Sequence, residues 1–280
     1  MPVSLTVMTT FALVLGLVGC VSGFLAGLLG VGGGIIVVPV LYHVLAFFEV
    51  DPALRAHIAV GTSLATIIPT SFQSIRAHRA RGAVDTDLLK LWGPFVAVGV
   101  MIGVLIAAYA PGETLTAIFG FVAAIVAAYM LFTREGWHPI GSLPAKPGQA
   151  AMATGIGTIS TLMGIGGGTL TVPTLSICSY PVRRAVGTAS VIGLIIALPG
   201  TLGYIVNGWG KEGLPVYSLG YVNIAGMVAI MLTSMWFAPL GARTAHTIEP
   251  GTLRKLFGIF LALTSAKMIA DLVPFGAFAN

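Results

Sequence analysis

Two glycine-rich stretches decide the architecture of this chain: GVGGGIIVVP at Gly30–Pro39 and GIGGGTLTVP at Gly164–Pro173. Each sets three adjacent glycines among apolar residues, although a glycine inside a helix costs about 1 kcal/mol relative to alanine. We therefore expect a helix to break at each stretch and a new helix to start directly after it, near Ile35 and Thr169. Because the second stretch repeats the first 134 residues later, the chain is predicted to consist of two related halves.

The composition around these stretches is typical of a membrane protein. Hydrophobic residues make up 56% of the 280 residues and charged residues only 8%, against about a quarter in soluble domains. The net charge of +5 is spread over short connections, without the aromatic-interleaved basic patch of a nucleic-acid-binding protein. The sequence therefore predicts an all-α integral membrane protein that contacts the lipid bilayer and has no nucleic acid partner.

Apolar runs of about 20 residues, the length that crosses the hydrocarbon core, divide the chain into segments. Two of the segments, 34–48 and 169–180, have only the length of a half-helix or a re-entrant helix. The predicted segments are 9–29, 34–48, 57–77, 88–110, 114–132, 149–164, 169–180, 185–206, 219–240 and 252–273. A connection rich in proline and glycine separates them into two groups of five. We therefore predict a first transmembrane repeat at 1–132, a linker at 133–149 and a second transmembrane repeat at 150–280.

An odd number of segments in each repeat inverts the second repeat relative to the first. With this topology, 11 of the 14 Lys and Arg residues fall on one face of the membrane and 3 on the other. The basic face holds the turn from Arg76 to Lys90 and the 133–149 linker, and the positive-inside rule makes this face cytoplasmic. Both termini are then predicted to lie outside.

Inverted repeats with helices broken at corresponding positions are typical of secondary transporters, which bind their substrates at the breaks. Backbone that leaves a helix within a bilayer must be buried in protein or line a cavity, because unpaired N–H groups are costly there. The start of a helix also presents free N–H donors and the positive end of the helix dipole. The ligand is therefore predicted to be a small anion, held by Gly32, Gly33, Gly34, Gly166, Gly167, Gly168 and Thr169.

Polar side chains within the spans are further candidate contacts, since they are costly in lipid unless they face a partner or a cavity. The hydroxyls at helical spacing in the first half, and their counterparts in the second, belong to Thr62, Ser63, Thr66, Thr70, Thr188 and Ser190. These hydroxyls either donate to the anion or bond back to their own helix. Gln73, near the basic end of the first of these helices, adds an amide donor.

Cations precede the duplicated AVGT motif in both halves, at opposite faces of the predicted membrane. They are Arg55 and His57 in the first half and Arg183 and Arg184 in the second. These side chains either attract anions at the two entrances or anchor the helices in the interface, which is their commoner role. His57 is a candidate for coupling transport to protons, because histidine titrates near neutral pH.

The remaining ionisable residues do not suggest a cofactor. The histidines His43, His78, His138 and His246 form no repeated spacing, so no metal is predicted. Acidic residues such as Asp51, Asp85 and Asp87 fall in predicted connections, where water screens their charge. No HExxH motif, nucleophile elbow or pair of carboxylates within one span is present, so the sequence does not predict an enzyme.

Nucleotide-binding motifs do not account for the glycine stretches. A Walker A loop ends in Gly-Lys-Ser/Thr, and a dinucleotide fingerprint needs glycine where Ile35 and Thr169 stand. Close packing of helices at small residues remains the structural alternative to anion binding. A channel for small anions would keep the same site without alternating gates, and the sequence does not separate it from a carrier.

The motifs together resemble a known family. GLLGVGGGIIVVPVL and HIAVGTSLATIIPTS in the first half, with GTISTLMGIGGGTLTVPTL and RRAVGTASVIGLIIALPGTLGY in the second, are similar to the sulfite exporter TauE/SafE family of membrane permeases. The similarity extends over about residues 11–272. It implies a multi-pass transporter of the bacterial inner membrane that carries sulfite, sulfonates or related sulfur-containing anions, mostly out of the cytoplasm. A permease of another small organic anion remains the alternative, and whether the chain forms a homo-oligomer stays open.

Overall fold

A computed structural model describes residues 5–29, 33–133, 141–245 and 248–272, which are almost entirely helical. These residues form ten α-helices and one short antiparallel hairpin. The helices are α1 Leu5–Leu29, α2 Gly34–Phe47, α3 Pro52–Arg79, α4 Thr86–Tyr109, α5 Gly112–Phe132, α6 Lys146–Met163, α7 Gly167–Ile177, α8 Val182–Asn207, α9 Ile224–Ala245 and α10 Pro250–Ala270. The hairpin strands are β1 Ser218–Leu219 and β2 Val222–Asn223.

Each predicted segment corresponds to one helix, with boundaries displaced by at most five residues. By length and composition, α3, α4, α5, α8 and most of α9 can cross a membrane. The two helices that follow the glycine stretches are shorter, with 14 residues in α2 and 11 in α7, and are too short to cross unaided. The prediction of an all-α membrane protein is therefore confirmed.

Local sequence explains where the key helices start and stop. Asp51 caps α3 by accepting a hydrogen bond from the backbone N–H of Ala53 at 2.9 Å, and Pro52 occupies the first turn. At the second glycine stretch, α6 ends at Gly164, whose φ of 66° lies in the left-handed region that favours glycine. Gly166 is extended, so the backbone is unwound before α7 begins.

The helices pack as a central pair flanked by equivalent pairs. α3 packs on α8, α5 packs on α10, and each short helix lies on the long helix that follows it, α2 on α3 and α7 on α8. α1 packs against α9, and α6 packs against α4. Exchanging the five helices of one half for those of the other reproduces each of these pairings. The two halves thus occupy equivalent places, while their inverted orientation in a membrane stays a prediction.

Glycines allow two of these pairs to approach closely. A Cβ added to Gly19 of α1 would lie 2.8 Å from the Cα of Ile230 in α9. In the equivalent pair, a Cβ added to Gly157 of α6 would overlap the carbonyl oxygen of Val96 in α4. Close packing at small residues, as in other membrane helices, therefore explains glycines outside the two glycine stretches.

The core lies along the contact of the central helices. Ile58, Leu64, Ile192 and Ile196 are fully buried there. Apolar side chains on the outer helices are instead exposed, as at Leu105 of α4 with 61%, Phe121 of α5 with 66% and Leu263 of α10 with 69%. Such a surface belongs to helices that face lipid.

Candidate functional site

A cavity of about 600 Å³ lies between α3, α7, α8 and α9, with α1 and α2 contributing single residues to its wall. Its inner end is buried, at Thr66 and Gly166. Its outer end is at His78, in the last turn of α3, next to the exposed Arg76 and Arg79. The cavity therefore opens at the end of the bundle where the basic residues of the Arg76–Lys90 turn lie.

The structure brings the two glycine stretches together at the inner end of this cavity. Gly33, Gly166, Gly167 and Gly168 all line it, whereas Gly32 lies outside the described residues. Among the described residues, no side chain caps the start of either α2 or α7. The first backbone N–H groups of a helix have no intrahelical partner, and they carry the positive end of the helix dipole. The arrangement can therefore donate hydrogen bonds to an anion.

The glycines of the two stretches differ in what their missing side chains allow. A Cβ added to Gly34 would lie 2.7 Å from the carbonyl oxygen of Gly164, and one added to Gly167 would lie 2.6 Å from that of Ala189. These two glycines serve close packing, on the α6–α7 break and on α8. A Cβ added to Gly166 would meet Ile67 at 3.6 Å, an ordinary contact. Close packing thus explains Gly34 and Gly167 but not Gly166.

A stripe of polar residues on α3 leads from the inner end of the cavity to its mouth: Thr66, Thr70, Gln73, Ser74 and His78. The hydroxyl of Thr66 donates to the carbonyl of Ser63 at 2.7 Å, and that of Thr70 donates to Ile67 at 3.0 Å. These protons are committed to the helix itself. The remaining side-chain donors of the stripe are the Gln73 amide, the Ser74 hydroxyl and the His78 ring.

A largely apolar part of the cavity wall belongs to α9. It is formed by Ile230, Met231, Met235, Ala238 and Pro239, together with Ser234. The Ser234 hydroxyl donates to the carbonyl of Gly19 at 3.0 Å, so it ties α9 to α1. Among the described residues that line the cavity, there is no carboxylate, lysine or arginine.

Of the predicted hydroxyl contacts, Ser190 lines the cavity, although its hydroxyl donates to Gly187 at 2.7 Å. Thr62 and Thr188 lie elsewhere and are fully buried. The Thr62 hydroxyl oxygen accepts the backbone N–H of Asn223 at 2.9 Å, and that of Thr188 accepts the backbone N–H of Asp85 at 2.9 Å. Both hold the start of a neighbouring helix, α9 or α4, instead of facing the cavity.

Two more predicted contacts are buried beside the glycine stretches. The Ser63 hydroxyl donates to the carbonyl of Gly164 at 2.7 Å and so holds the α6–α7 break against α3. Thr169 is buried in the first turn of α7 and is not among the residues that line the cavity. Ser63 therefore supports the position of the second glycine stretch.

The predicted gating cations do not line the cavity. Arg55, at the far end of α3, donates from Nε to the carbonyl of Val50 at 2.6 Å. Arg183 donates to the carbonyl of Arg81 at 3.2 Å, and the Arg184 guanidinium lies 3.5 Å from the Asp85 carboxylate. Arg183 and Arg184 therefore join the start of α8 to the α3–α4 turn at the basic end.

His57 is sealed in protein at the end of the bundle opposite the cavity mouth. Its ring is 5% exposed, with Nδ1 3.3 Å from the carbonyl of Ala53 and Nε2 3.2 Å from that of Ala107. The ring also packs against Tyr221, with 4.7 Å between the ring centroids. The structure thus gives His57 a packing role between α3, α4 and the hairpin, away from the cavity.

Asp85 lies in a connection, as predicted, but the expectation that water screens it is wrong, since only 15% of its side chain is exposed. Burial by itself raises the pKa of Asp85, whereas hydrogen bonds from Tyr180, Leu88 and Asp87 and the charge of Arg184 lower it. The net effect is a pKa below the usual value. Among the described residues, no group of three His, Cys, Asp or Glu could hold a metal ion.

The sequence pattern did not single out the polar cavity residues Ser71, Ser74, His78 and Ser234. His78 lies four residues after Ser74 and eight after Thr70, so it continues the polar stripe of α3 toward the basic turn. Extending the hydroxyl pattern by two further helical turns would have found it. Ser234 has no such signal, because its position depends on how α9 packs.

Known proteins match this chain over both glycine stretches and over the residues that line the cavity. The family model described as sulfite exporter TauE/SafE matches residues 15–268. A Haemophilus influenzae protein named "Probable membrane transporter protein" is 32% identical over 268 residues, which is 93% of this chain and 99% of that protein. A similarly named protein of Methanocaldococcus jannaschii is 26% identical over 264 residues, 90% of this chain and 93% of its own.

A Bacillus subtilis protein named "Probable membrane transporter protein YunE" is 23% identical over 279 residues, 92% of this chain and 97% of its own. No solved structure matches the chain. Because the family model and these relatives span nearly all of the helices described above, the protein is a multi-pass membrane transporter and not an enzyme, and it belongs to the sulfite exporter TauE/SafE family.

Proposed function

We propose that the protein carries a small sulfur-containing oxyanion, such as sulfite or an organosulfonate, across the inner membrane by alternating access. The observation that supports this most directly is the inner end of the cavity, where Gly33 and the uncapped start of α7 meet. The described lining supplies N–H donors and no carboxylate, which suits an anion and not a cation.

The helix pair α4–α8 is equivalent to the pair α9–α3, and the difference between their contacts supports a carrier. α4 follows α8 along its length, from the Asp85–Thr188 hydrogen bond of 2.9 Å to that from Asn207 to the Val104 carbonyl, 3.0 Å. The equivalent helices α9 and α3 are joined where the start of α9 meets Thr62 of α3, and beyond that point both line the cavity. A bundle that is closed in one half and open in the other is what alternating access requires.

The inner end of the cavity is closed, which also favours a carrier over a channel. Gly34 lies against Gly164 and Ile165, close enough that an added Cβ would be 2.7 Å from the Gly164 oxygen. Ser63 ties the same break to α3. An anion at the glycine stretches would therefore have access from one face only, and a channel would need a path to both.

The charge on the cavity mouth supports export as the direction of transport. The mouth is at the basic end, and the positive-inside rule makes a basic face cytoplasmic. The anion would enter from the cytoplasm, which corresponds to export, and both termini would lie outside. A cysteine introduced at position 3 or 279 should then react with a membrane-impermeant thiol reagent in intact cells, and labelling only after permeabilisation would reject this topology.

The size and walls of the cavity favour an organosulfonate over sulfite. The cavity has a volume of about 600 Å³ and is open at its mouth, so an anion of four heavy atoms such as sulfite would fill little of it. The apolar side chains of Met231 and Met235 on α9 could pack on a carbon chain while the sulfonate lies at the start of α7.

Reconstitution into liposomes tests the function. We expect saturable uptake and counterflow of one or more of sulfite, sulfate, thiosulfate, taurine and sulfoacetate. Conductance far above carrier turnover would indicate a channel, and no uptake of any of the five would reject a sulfur-containing oxyanion as substrate.

A matched pair of variants tests the site. Gly166→Ala adds a methyl group to the inner end of the cavity with ordinary contacts to Ile67, whereas Gly155 of α6 has nothing within 4 Å of an added Cβ. We expect Gly166→Ala to raise the KM about tenfold, equivalent to about 1.4 kcal/mol of binding, and Gly155→Ala to leave it unchanged. Equal KM values for both variants would reject anion binding at the glycine stretches.

A further inference from the structure

His78 is the one titratable side chain among the described residues that line the cavity. It is half-buried and lies in the last turn of α3, one turn beyond Ser74. Histidine titrates near neutral pH, so the charge of this side chain depends on pH in the physiological range.

We propose that protonated His78 recruits the substrate anion at the cavity mouth, so that the protein binds substrate from the basic face more tightly as the pH falls. This inference rests on the proposed transport of an anion. Twelve residues of helix separate Thr66 from His78, a distance of about 18 Å along the axis. His78 therefore acts at the entrance and not on an anion already held at the glycine stretches.

The arginines near His78 are exposed to water, so they act less strongly on an anion in the cavity than a charge on His78 itself would. On its own element, Arg76 and Arg79 are exposed, and Arg81 follows in the turn. Charges exposed to water are screened within about 10 Å at ordinary ionic strength. His78 is instead part of the cavity wall, and a cleft with low-dielectric walls concentrates the field of a charge inside it.

Charges on the neighbouring elements do not replace this one. From the start of α8, Arg183 bonds the turn backbone, while Arg184 and Tyr180 both engage Asp85. α9 contributes the exposed Arg243, beyond the residues that line the cavity. α1 and α7 carry no charged residue over Leu5–Leu29 and Gly167–Ile177. Protonation of His78 is thus the change that adds a positive charge within the described lining.

The test uses proteoliposomes of known orientation and sulfoacetate as the probe, because its sulfonate and carboxylate both stay ionised between about pH 5 and pH 8. For the wild-type protein, the KM from the basic face should be up to about fivefold lower at the acidic end of this range, the effect of one partly screened charge. The kcat should change little. His78→Gln should keep the high KM throughout the range, and His78→Arg should keep the low KM.

His43→Gln is the matched control, since His43 is half-buried on α2 and does not line the cavity. It should retain the pH dependence of the wild-type KM. If His78→Gln also retained that dependence, or if His78→Arg raised the KM as His78→Gln does, the recruiting role would be rejected. Absence of sulfoacetate transport by the wild-type protein, with sulfite and the other sulfur anions also refused, would instead reject the proposed function.

Discussion

Two equivalent corners of the bundle have the same backbone contacts but different charges. At the neutral corner, Thr62 of α3 accepts a hydrogen bond from the backbone of Asn223, whose side chain caps α9 by accepting the N–H of Gly226 at 2.7 Å. At the charged corner, Thr188 of α8 accepts the backbone N–H of Asp85, whose carboxylate caps α4. One half of the protein thus caps its helix with an amide and the other with a carboxylate.

The partners at each corner explain the difference. The side-chain nitrogen of Asn223 donates to the carbonyl of Val216 at 3.0 Å and to the hydroxyl of Ser218 at 3.1 Å, which a carboxylate could not do. Asp85 instead accepts a hydrogen bond from Tyr180 and lies beside Arg184. The repeat determines where a cap is needed, and the available donors determine which cap is used.

Replacing the amide cap at the neutral corner by a carboxylate should have the largest effect on stability. Asn223 is 1% exposed, so Asn223→Asp would bury a carboxylate against the Val216 carbonyl with no cation in the described surroundings. We expect a loss of about 3 kcal/mol or more in the free energy of unfolding. Thermal unfolding of the purified protein in detergent measures it. A variant as stable as the wild type would show that the corner accommodates charge after all.

A methyl group added at one glycine in each corner tests whether the helices are packed equally closely at the two corners. A Cβ on Gly61 would lie 2.7 Å from the carbonyl oxygen of Tyr221, and one on Gly187 would overlap that of Ala83. Gly61→Ala and Gly187→Ala should each cost about 1–3 kcal/mol through overpacking. Gly155→Ala, in open space, is the control and should cost nothing. Loss of melting temperature in only one of the two corner variants would break the equivalence.

Much of this architecture could be predicted from the sequence because it depends on local properties. Apolar length located the helices, and glycine content located the unwound backbone before α7. Both patterns occur twice in the chain. This repetition also indicated that the two glycine stretches lie together, since equivalent elements of two repeats face one another. These inferences needed no knowledge of which side chain contacts which.

The contacts of individual side chains could not be predicted in the same way. The shared spacing of Thr62 and Thr188 indicated equivalent roles, but it could not tell a bond to the cap of a neighbouring helix from a bond to a ligand. His78 was not predicted because its counterpart in the second half, by the same offset that relates Thr62 to Thr188, is the buried Tyr204. Comparison of the repeats finds what the halves share, and a cavity open to one face depends on where they differ.

Removing the two threonine hydroxyls separates their structural role from a ligand role. Thr62→Val and Thr188→Val each leave a backbone N–H, of Asn223 or Asp85, without its acceptor. Each should lower the free energy of unfolding by about 1–2 kcal/mol and leave the substrate KM unchanged, because neither hydroxyl lines the cavity. A raised KM at unchanged stability would restore these residues to the anion site.

The smallest effect expected is that of Asp85→Asn, and its dependence on pH identifies its cause. The amide keeps a cap for α4 but loses the charge that Tyr180 and Arg184 stabilise, so at neutral pH we expect a cost of about 1 kcal/mol. The pKa of Asp85 is lowered in the folded protein, so its ionised form contributes stability above the unfolded value of about 3.9 and loses that contribution as the pH falls through the folded value. Melting temperatures of the wild type and Asp85→Asn should therefore differ at neutral pH and converge under acid conditions. A difference that stayed constant down to the acid limit would assign the cost to altered capping geometry, and the two corners would then differ in shape as well as in charge.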